Sequence, residues 1–192
     1  MAKIVFVCGP HCSGKTSILK ELQSRGDIVL RGSEIGKDLY YERKFLTEAQ
    51  DHFFEMEVAT REFERDLHYE KVDGLVGVET WHPGNIAYAA VRNPDSVPEL
   101  LEFAGRSPFI TDSVGIWLRI PKETIIERTQ TFKDSREWAG DFYHKIDSKL
   151  EVILDNLNLL SKTIIIDANK PQDEVLDEVQ RFIQAHQAEM IK

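Results

Sequence analysis

Five short apolar runs punctuate this chain, separated by longer stretches whose apolar residues recur at helical spacing. Ile4-Val5-Phe6-Val7-Cys8 reads as a first buried strand, and Ser17-Ile18-Leu19-Lys20-Glu21-Leu22 as part of an amphipathic helix that Gly26 stops. Asp27 to Arg31 follows as a second strand, and the polar, turn-rich segment from Gly32 to Lys44 reads as an irregular connection at a functional site. Thr47 with Gln50 resembles a capping box that opens a long helix, along which Phe53, Phe54, Val58, Phe63 and Leu67 form the apolar stripe. Leu75 to Val78 is a third strand, ended by Glu79. Pro83-Gly84 predicts a turn, with Asn85 capping a short helix through Val91. Pro94 and Pro98 bracket a loop before a helix over Glu99 to Ala104, and Val114 to Leu118 is a fourth strand. Pro121 suits the first turn of a helix ending near Arg128. A polar connection, a long helix over Ser135 to Leu157, a fifth strand over Thr163 to Ile166 and a final helix after Pro171 complete the chain. Strands alternating with helices predict one doubly wound α/β domain over residues 1–192.

Composition narrows the partners. A chain of 192 residues has room for one substantial core. Its net charge of −9 argues against a nucleic-acid backbone as partner, yet permits a small anion held by local Lys and Arg. The apolar runs fall far short of the ~20 residues needed to cross a bilayer, so no membrane partner is expected. The first residues read as a core strand rather than a signal peptide. Cys8 and Cys12 are the only two cysteines, which excludes a disulfide framework and points to a cytoplasmic setting. No residue set has zinc-site spacing. Self-association as a homodimer is compatible with all of this.

The chemistry concentrates after the first strand. Gly9-Pro10-His11-Cys12-Ser13-Gly14-Lys15-Thr16 fits G-x-x-x-x-G-K-[ST], between a strand and a helix as the motif requires. Its glycines let successive backbone N–H groups turn inward on phosphate oxygens, and the loop feeds the positive end of a helix. Residues Gly9, His11, Cys12, Ser13, Gly14, Lys15, Thr16 and Ser17 are thus expected to hold the phosphates of ATP. Lys15 reaches the β- and γ-phosphates, and the Thr16 hydroxyl ligates Mg²⁺.

In open α/β sheets, ligands bind at the carboxyl ends of the strands. Glu79, a carboxylate closing an apolar strand, is nominated there to hold Mg²⁺ or act as a base. Glu34, just past the second strand, is a second candidate base or a substrate contact. Trp81 and His82 are candidates for stacking on a base and donating to a phosphate, and Arg92 for binding a substrate phosphate. Arg128 and Arg136 flank a polar segment and can close over the triphosphate from a lid. Asn169 and Lys170 follow the fifth strand on the same rim.

The order of these motifs resembles the P-loop nucleoside and nucleotide kinases. Ile116-Trp117-Leu118-Arg119-Ile120-Pro121-Lys122-Glu123, with Glu127-Arg128, is similar to the fourth strand and pre-lid helix of thymidylate kinases. Ile164-Ile165-Ile166-Asp167-Ala168 with Pro171 and Val175 is similar to their last strand and helix, whose connection borders adenine; this implies adenine contacts for Asn169 and Lys170. Glu79 with Asn85-Ile86-Ala87-Tyr88 resembles the acid and following helix of their third strand. The first half, with Glu34, also resembles nicotinamide-riboside-kinase-like domains and deoxynucleoside kinases. The resemblance implies a three-layer P-loop NTPase fold, with a five-stranded parallel sheet, helices on both faces and a short lid near residues 128–137. It implies an ATP- and Mg²⁺-dependent phosphotransferase acting on a nucleotide or nucleoside. Two positions depart from the pattern: Thr80-Trp81-His82 follows Glu79 where those families place arginine, and Arg119 stands where thymidylate kinases often have Asp. A regulatory ATPase and an ATP-binding module without chemistry are the alternatives.

Overall fold

The computed structural model describes residues 2–43, 51–129 and 136–190, with side chains through residue 186. Its strands are β1 (Ala2–Cys8), β2 (Leu30–Gly32), β3 (Gly74–Glu79), β4 (Val114–Arg119) and β5 (Thr163–Asp167). All pair in parallel, in the order β2-β3-β1-β4-β5. The three inner strands are almost wholly apolar because helices cover both of their faces. Edge strand β2 is short, and edge strand β5 leaves Ile165 exposed.

Helices α1 (Lys15–Arg25) and α8 (Gln172–Met190) lie together on one face, joined where Arg25 donates to Gln180 at 3.1 Å. The other face carries α3 (His52–Tyr69), α4 (Trp81–Arg92) and α7 (Arg136–Asn156), with α5 (Val97–Ala104) and α6 (Lys122–Arg128) beside them. Right-handed crossovers in both directions from β1 require this division. Register sets Val7 beside Glu79, Cys8 beside Trp117 and Arg119 beside Asp167, which brings the carboxyl ends of four strands to one rim. Among the described residues, no helix is long and apolar enough to cross a membrane.

Several local expectations change. The segment after β2 holds a regular helix, α2 (Ile35–Glu42). Ile35 and Leu39, one turn apart, pack with Phe54 and Val58 of α3 in a small second core. Helix α3 is capped by Asp51, whose carboxylate accepts from the Phe54 N–H at 3.0 Å. Thr47 and Gln50 lie outside the described residues. Phe53 and Leu67 sit on the solvent side of α3 rather than in its apolar stripe. Strand β2 begins at Leu30 because the Asp27 and Ile28 N–H groups turn back to the Leu22 carbonyl that ends α1.

The turn expected at Pro83-Gly84 is instead the first turn of α4, which starts at Trp81. Proline is tolerated there because its missing N–H has no helical acceptor. A Cβ on Gly84 would lie 2.5 Å from Thr80 Cγ2, so only glycine lets the chain fold tightly over the end of β3. Asn85 therefore lies inside the helix, where its side-chain amide donates to Glu62 at 2.8 Å. Residues 130–135 of the expected lid lie outside the described residues.

Candidate active site

The loop after β1 is shaped by one close approach. A Cβ on Gly9 (φ +140°) would fall 2.2 Å from the Leu118 carbonyl, so only glycine lets the loop pass the end of β4. Gly14 then enters α1 in a left-handed conformation (φ 96°), and no side chain caps the helix. The first N–H groups of α1 thus present an uncapped positive end to the loop. Lys15 folds back across it, donating to the carbonyls of Gly9 (3.2 Å) and Pro10 (3.0 Å) while nearly buried.

Beside the loop, Thr16 Oγ1 donates to both carboxylate oxygens of Glu79, at 2.7 and 3.0 Å. A hydroxyl and a carboxylate that converge at a phosphate loop form the hard oxygen set that Mg²⁺ takes alongside phosphates and water. The residues therefore fit that ion. When bound, it would neutralise charge on the phosphates.

Two clefts flank the loop. One, of about 280 Å³, is lined by His11, Lys15, Thr16, Glu34, Lys37 and Glu79. Cys12 and Ser17 also border it. The other, of about 190 Å³, lies between Ser13, Gly14, Ser17, Arg128 and Lys170. Arg128 reaches over its mouth, donating to the carbonyls of Cys12 and Ala168, both at 3.4 Å. Lys170 pairs with Glu178 at 2.7 Å, and Asn169 Oδ1 accepts from Thr124 at 2.9 Å. Arg136 is exposed at the first turn of α7, connected to Arg128 through the segment 130–135.

Burial first, then the neighbouring Lys15, pulls the His11 imidazole down to about 4, and its ring stacks on Tyr143 at 5.0 Å and 23°. Unfolded chain takes up this proton near 6.5, while the folded chain resists until about 4, so His11 costs stability as pH falls through that window. A His11→Gln variant should lose less melting temperature than wild type between pH 6.5 and 4, as calorimetry can check.

Three expected substrate contacts lie elsewhere. Trp81 is fully buried against Phe6 (ring centroids 5.6 Å apart), and its indole N–H donates to Asp66 at 3.0 Å. His82, also buried, is held by the same carboxylate at 2.9 Å. Neither ring is free to stack on a base or donate to a phosphate, because Asp66 on α3 draws both into the core. Arg92 forms a two-pronged pair with buried Glu55 (2.9 and 3.0 Å) and lies between the rings of Phe54 and Tyr88, so its charge is already compensated.

Lys37 and Tyr143 were missed from sequence. Lys37 is three residues past Glu34, a spacing that puts both on one helix face once α2 is recognised. Tyr143 shares its helical stripe with Ala139, Ile146 and Leu150, which hides it among core residues.

A phosphate loop of this form on a parallel sheet of this order is the P-loop kinase fold. More than two thirds of the sequence, residues 5–139, matches the model of a family described as an AAA domain, and the chain belongs to that family. No match was found among curated proteins. Among solved structures, thymidylate kinase from Candida albicans is similar with a TM-score of 0.76 and 16% identity, covering 97% of this chain and 92% of that one. Deoxyadenosine kinase from M. mycoides with bound dATP has a TM-score of 0.69 and 12% identity, covering 95% and 99%. NadR protein in complex with NR has a TM-score of 0.69 and 17% identity; 95% of this chain matches, but it spans only 50% of the NadR chain.

Proposed function

We infer that this chain is an ATP-dependent phosphotransferase whose acceptor is a hydroxyl of a nucleoside-like molecule. The observation that carries this reading is the pairing of Thr16 and Glu79 at the loop, with Glu34 lining the same larger cleft. ATP would lie with its phosphates along Gly9 to Ser17 and its base in the smaller cleft, between Arg128 and the Asn169-Lys170 turn. Lys15 would exchange the carbonyls of Gly9 and Pro10 for phosphate oxygens. Thr16 and Glu79 would hold Mg²⁺. In the transfer step the acceptor oxygen forms a bond to the γ-phosphorus as the bond from that phosphorus to the bridging oxygen breaks. ADP departs, and the acceptor proton passes to Glu34. Lys15 would stabilise the moving charge, joined by Arg128 and, from the lid, Arg136.

Charge supports a neutral acceptor over a monophosphate. A phosphate on the acceptor needs its own cations; besides Lys15 the cleft offers Lys37 alone among its lining residues, against the carboxylates of Glu34 and Glu79. Arg92 is committed to Glu55. Arg119 is likewise paired, with Asp147 at 3.1 Å. The carboxylate of Glu34 would repel a second dianion in the cleft. The thymidylate kinase likeness and the deoxyadenosine kinase likeness are compatible with either acceptor, so the comparison must be made directly. With ATP as donor, nucleosides should be phosphorylated at lower KM than their 5′-monophosphates; the reverse order would overturn the choice of acceptor. Free Cys8 and Cys12 fit a reducing, cytoplasmic setting.

Arg128→Ala should raise the KM for ATP about tenfold, the effect of one charge-assisted contact, with little change in acceptor KM. Steady-state kinetics with each substrate varied in turn checks this. A second reading, ATP hydrolysis without an acceptor, is favoured by the AAA domain description of the family.

A further inference from the structure

The chain bends sharply after Glu79. Thr80 has φ 67° and ψ −57°, and Trp81 has φ 50°, two consecutive non-glycine residues with positive φ. For a β-branched residue this is a strained backbone, of the kind that persists only where the surroundings over-determine it. Thr80 Oγ1 is buried without a hydrogen-bond partner, so the side chain does nothing to relieve the strain. The backbone is pinned on both sides: the Thr80 N–H donates to Val7 of β1 at 2.8 Å, and its carbonyl accepts from the Gly84 N–H at 3.0 Å.

One buried carboxylate holds the first residues of α4 in place beyond the bend. Asp66, with no exposed surface, accepts from Trp81 Nε1 (3.0 Å), His82 Nε2 (2.9 Å) and Ser107 Oγ (2.6 Å). Around it Glu62 accepts from Arg65 and Asn85, so α3, α4 and the segment after α5 are tied together behind the bend. None of these groups lies among the residues lining the larger cleft. Cutting the two bonds from Asp66 to α4 would release the side chains that hold the bend, and the carboxylate one residue upstream is the one that meets Thr16.

We propose that Asp66 is a positioning residue: by clamping Trp81 and His82 it locks the strained Thr80 bend that aims Glu79 at Thr16. This rests on the reading of Thr16 and Glu79 as the Mg²⁺ pair. It also gives Thr80-Trp81-His82 a purpose in a place where an arginine was expected, as an anchor for the metal carboxylate rather than a substrate contact.

The test uses equilibrium binding of a fluorescent ATP analogue to the full chain, with Mg²⁺ titrated or removed by EDTA. Asp66→Ala should raise the Mg²⁺ midpoint about tenfold, the effect seen when an outer partner of a metal ligand is lost. Affinity for the analogue in EDTA should stay within about twofold, since the loop itself is untouched. Thr80→Gly in the Asp66→Ala background should restore the midpoint, because glycine takes positive φ without strain. Should Asp66→Ala not fold, the same comparison is read from Asp66→Asn, which keeps the volume and one acceptor oxygen. An unchanged midpoint, an equal loss of affinity with and without Mg²⁺, or no rescue by Thr80→Gly overturns the proposal. No acceptor enters this assay, so a failure to find phosphoryl transfer would remove the kinase reading and leave this result standing.

Discussion

Lys15→Ala is expected to cost ~10²–10³-fold in kcat/KM for ATP-dependent turnover, the scale of removing a preorganised donor from a developing charge. The physical case lies in how little else Lys15 does. Its ammonium is nearly buried, and its contacts are two loop carbonyls, Pro10 at 3.0 Å and Gly9 at 3.2 Å, which lie outside the β1 ladder and helix α1; Pro10 also keeps the Ser13 N–H as a donor. The fold should therefore survive, with a melting temperature close to that of wild type, while binding of an ATP analogue weakens sharply. A variant that melts normally and still turns over ATP at the wild-type rate would place the triphosphate elsewhere.

Glu34→Gln is the second large effect and the more informative one. Glu34 stands at the start of α2 and lines the same cleft as Lys15, Thr16 and Glu79. Burial, and then the charge of Glu34, raise the phenols of Tyr88 and Tyr143 above the ordinary tyrosine value. Loss of a general base should lower kcat by ~10²–10⁴-fold. The KM for ATP should not rise, since removing a negative charge from the cleft disfavours no phosphate. The same substitution should lower the KM of a nucleoside monophosphate relative to its nucleoside, because the repulsion that excludes the phosphate is gone. A Glu34→Gln enzyme with wild-type kcat would assign the proton to another acceptor.

The parts of this molecule that were legible in sequence are those governed by local rules. The inner strands announce themselves as unbroken apolar runs, because a parallel sheet covered on both faces needs no polar alternation. The phosphate loop is legible because backbone curvature fixes its glycines, and Glu79 because a carboxylate at the end of such a run is otherwise misplaced. Helix α2 was hidden because its buried stripe is little more than Ile35 and Leu39, and the core they meet lies beyond residues 44–50. The roles of Trp81, His82 and Arg92 were illegible for a different reason. Each is decided by a carboxylate far off in sequence, Asp66 or Glu55, whose burial within α3 depends on tertiary packing. Helical periodicity places Glu55, Glu62 and Asp66 on the inner side of α3, but nothing local says that they are paired there rather than solvated.

The most direct measurement follows the γ-phosphoryl group itself. Purified protein is given ATP labelled at that position with Mg²⁺, first alone and then with a panel of nucleosides, and the products are separated. The account predicts that ADP release depends on an acceptor and that the label appears on the hydroxyl of a nucleoside-like molecule. Label released as inorganic phosphate, at a rate no acceptor increases, would contradict it.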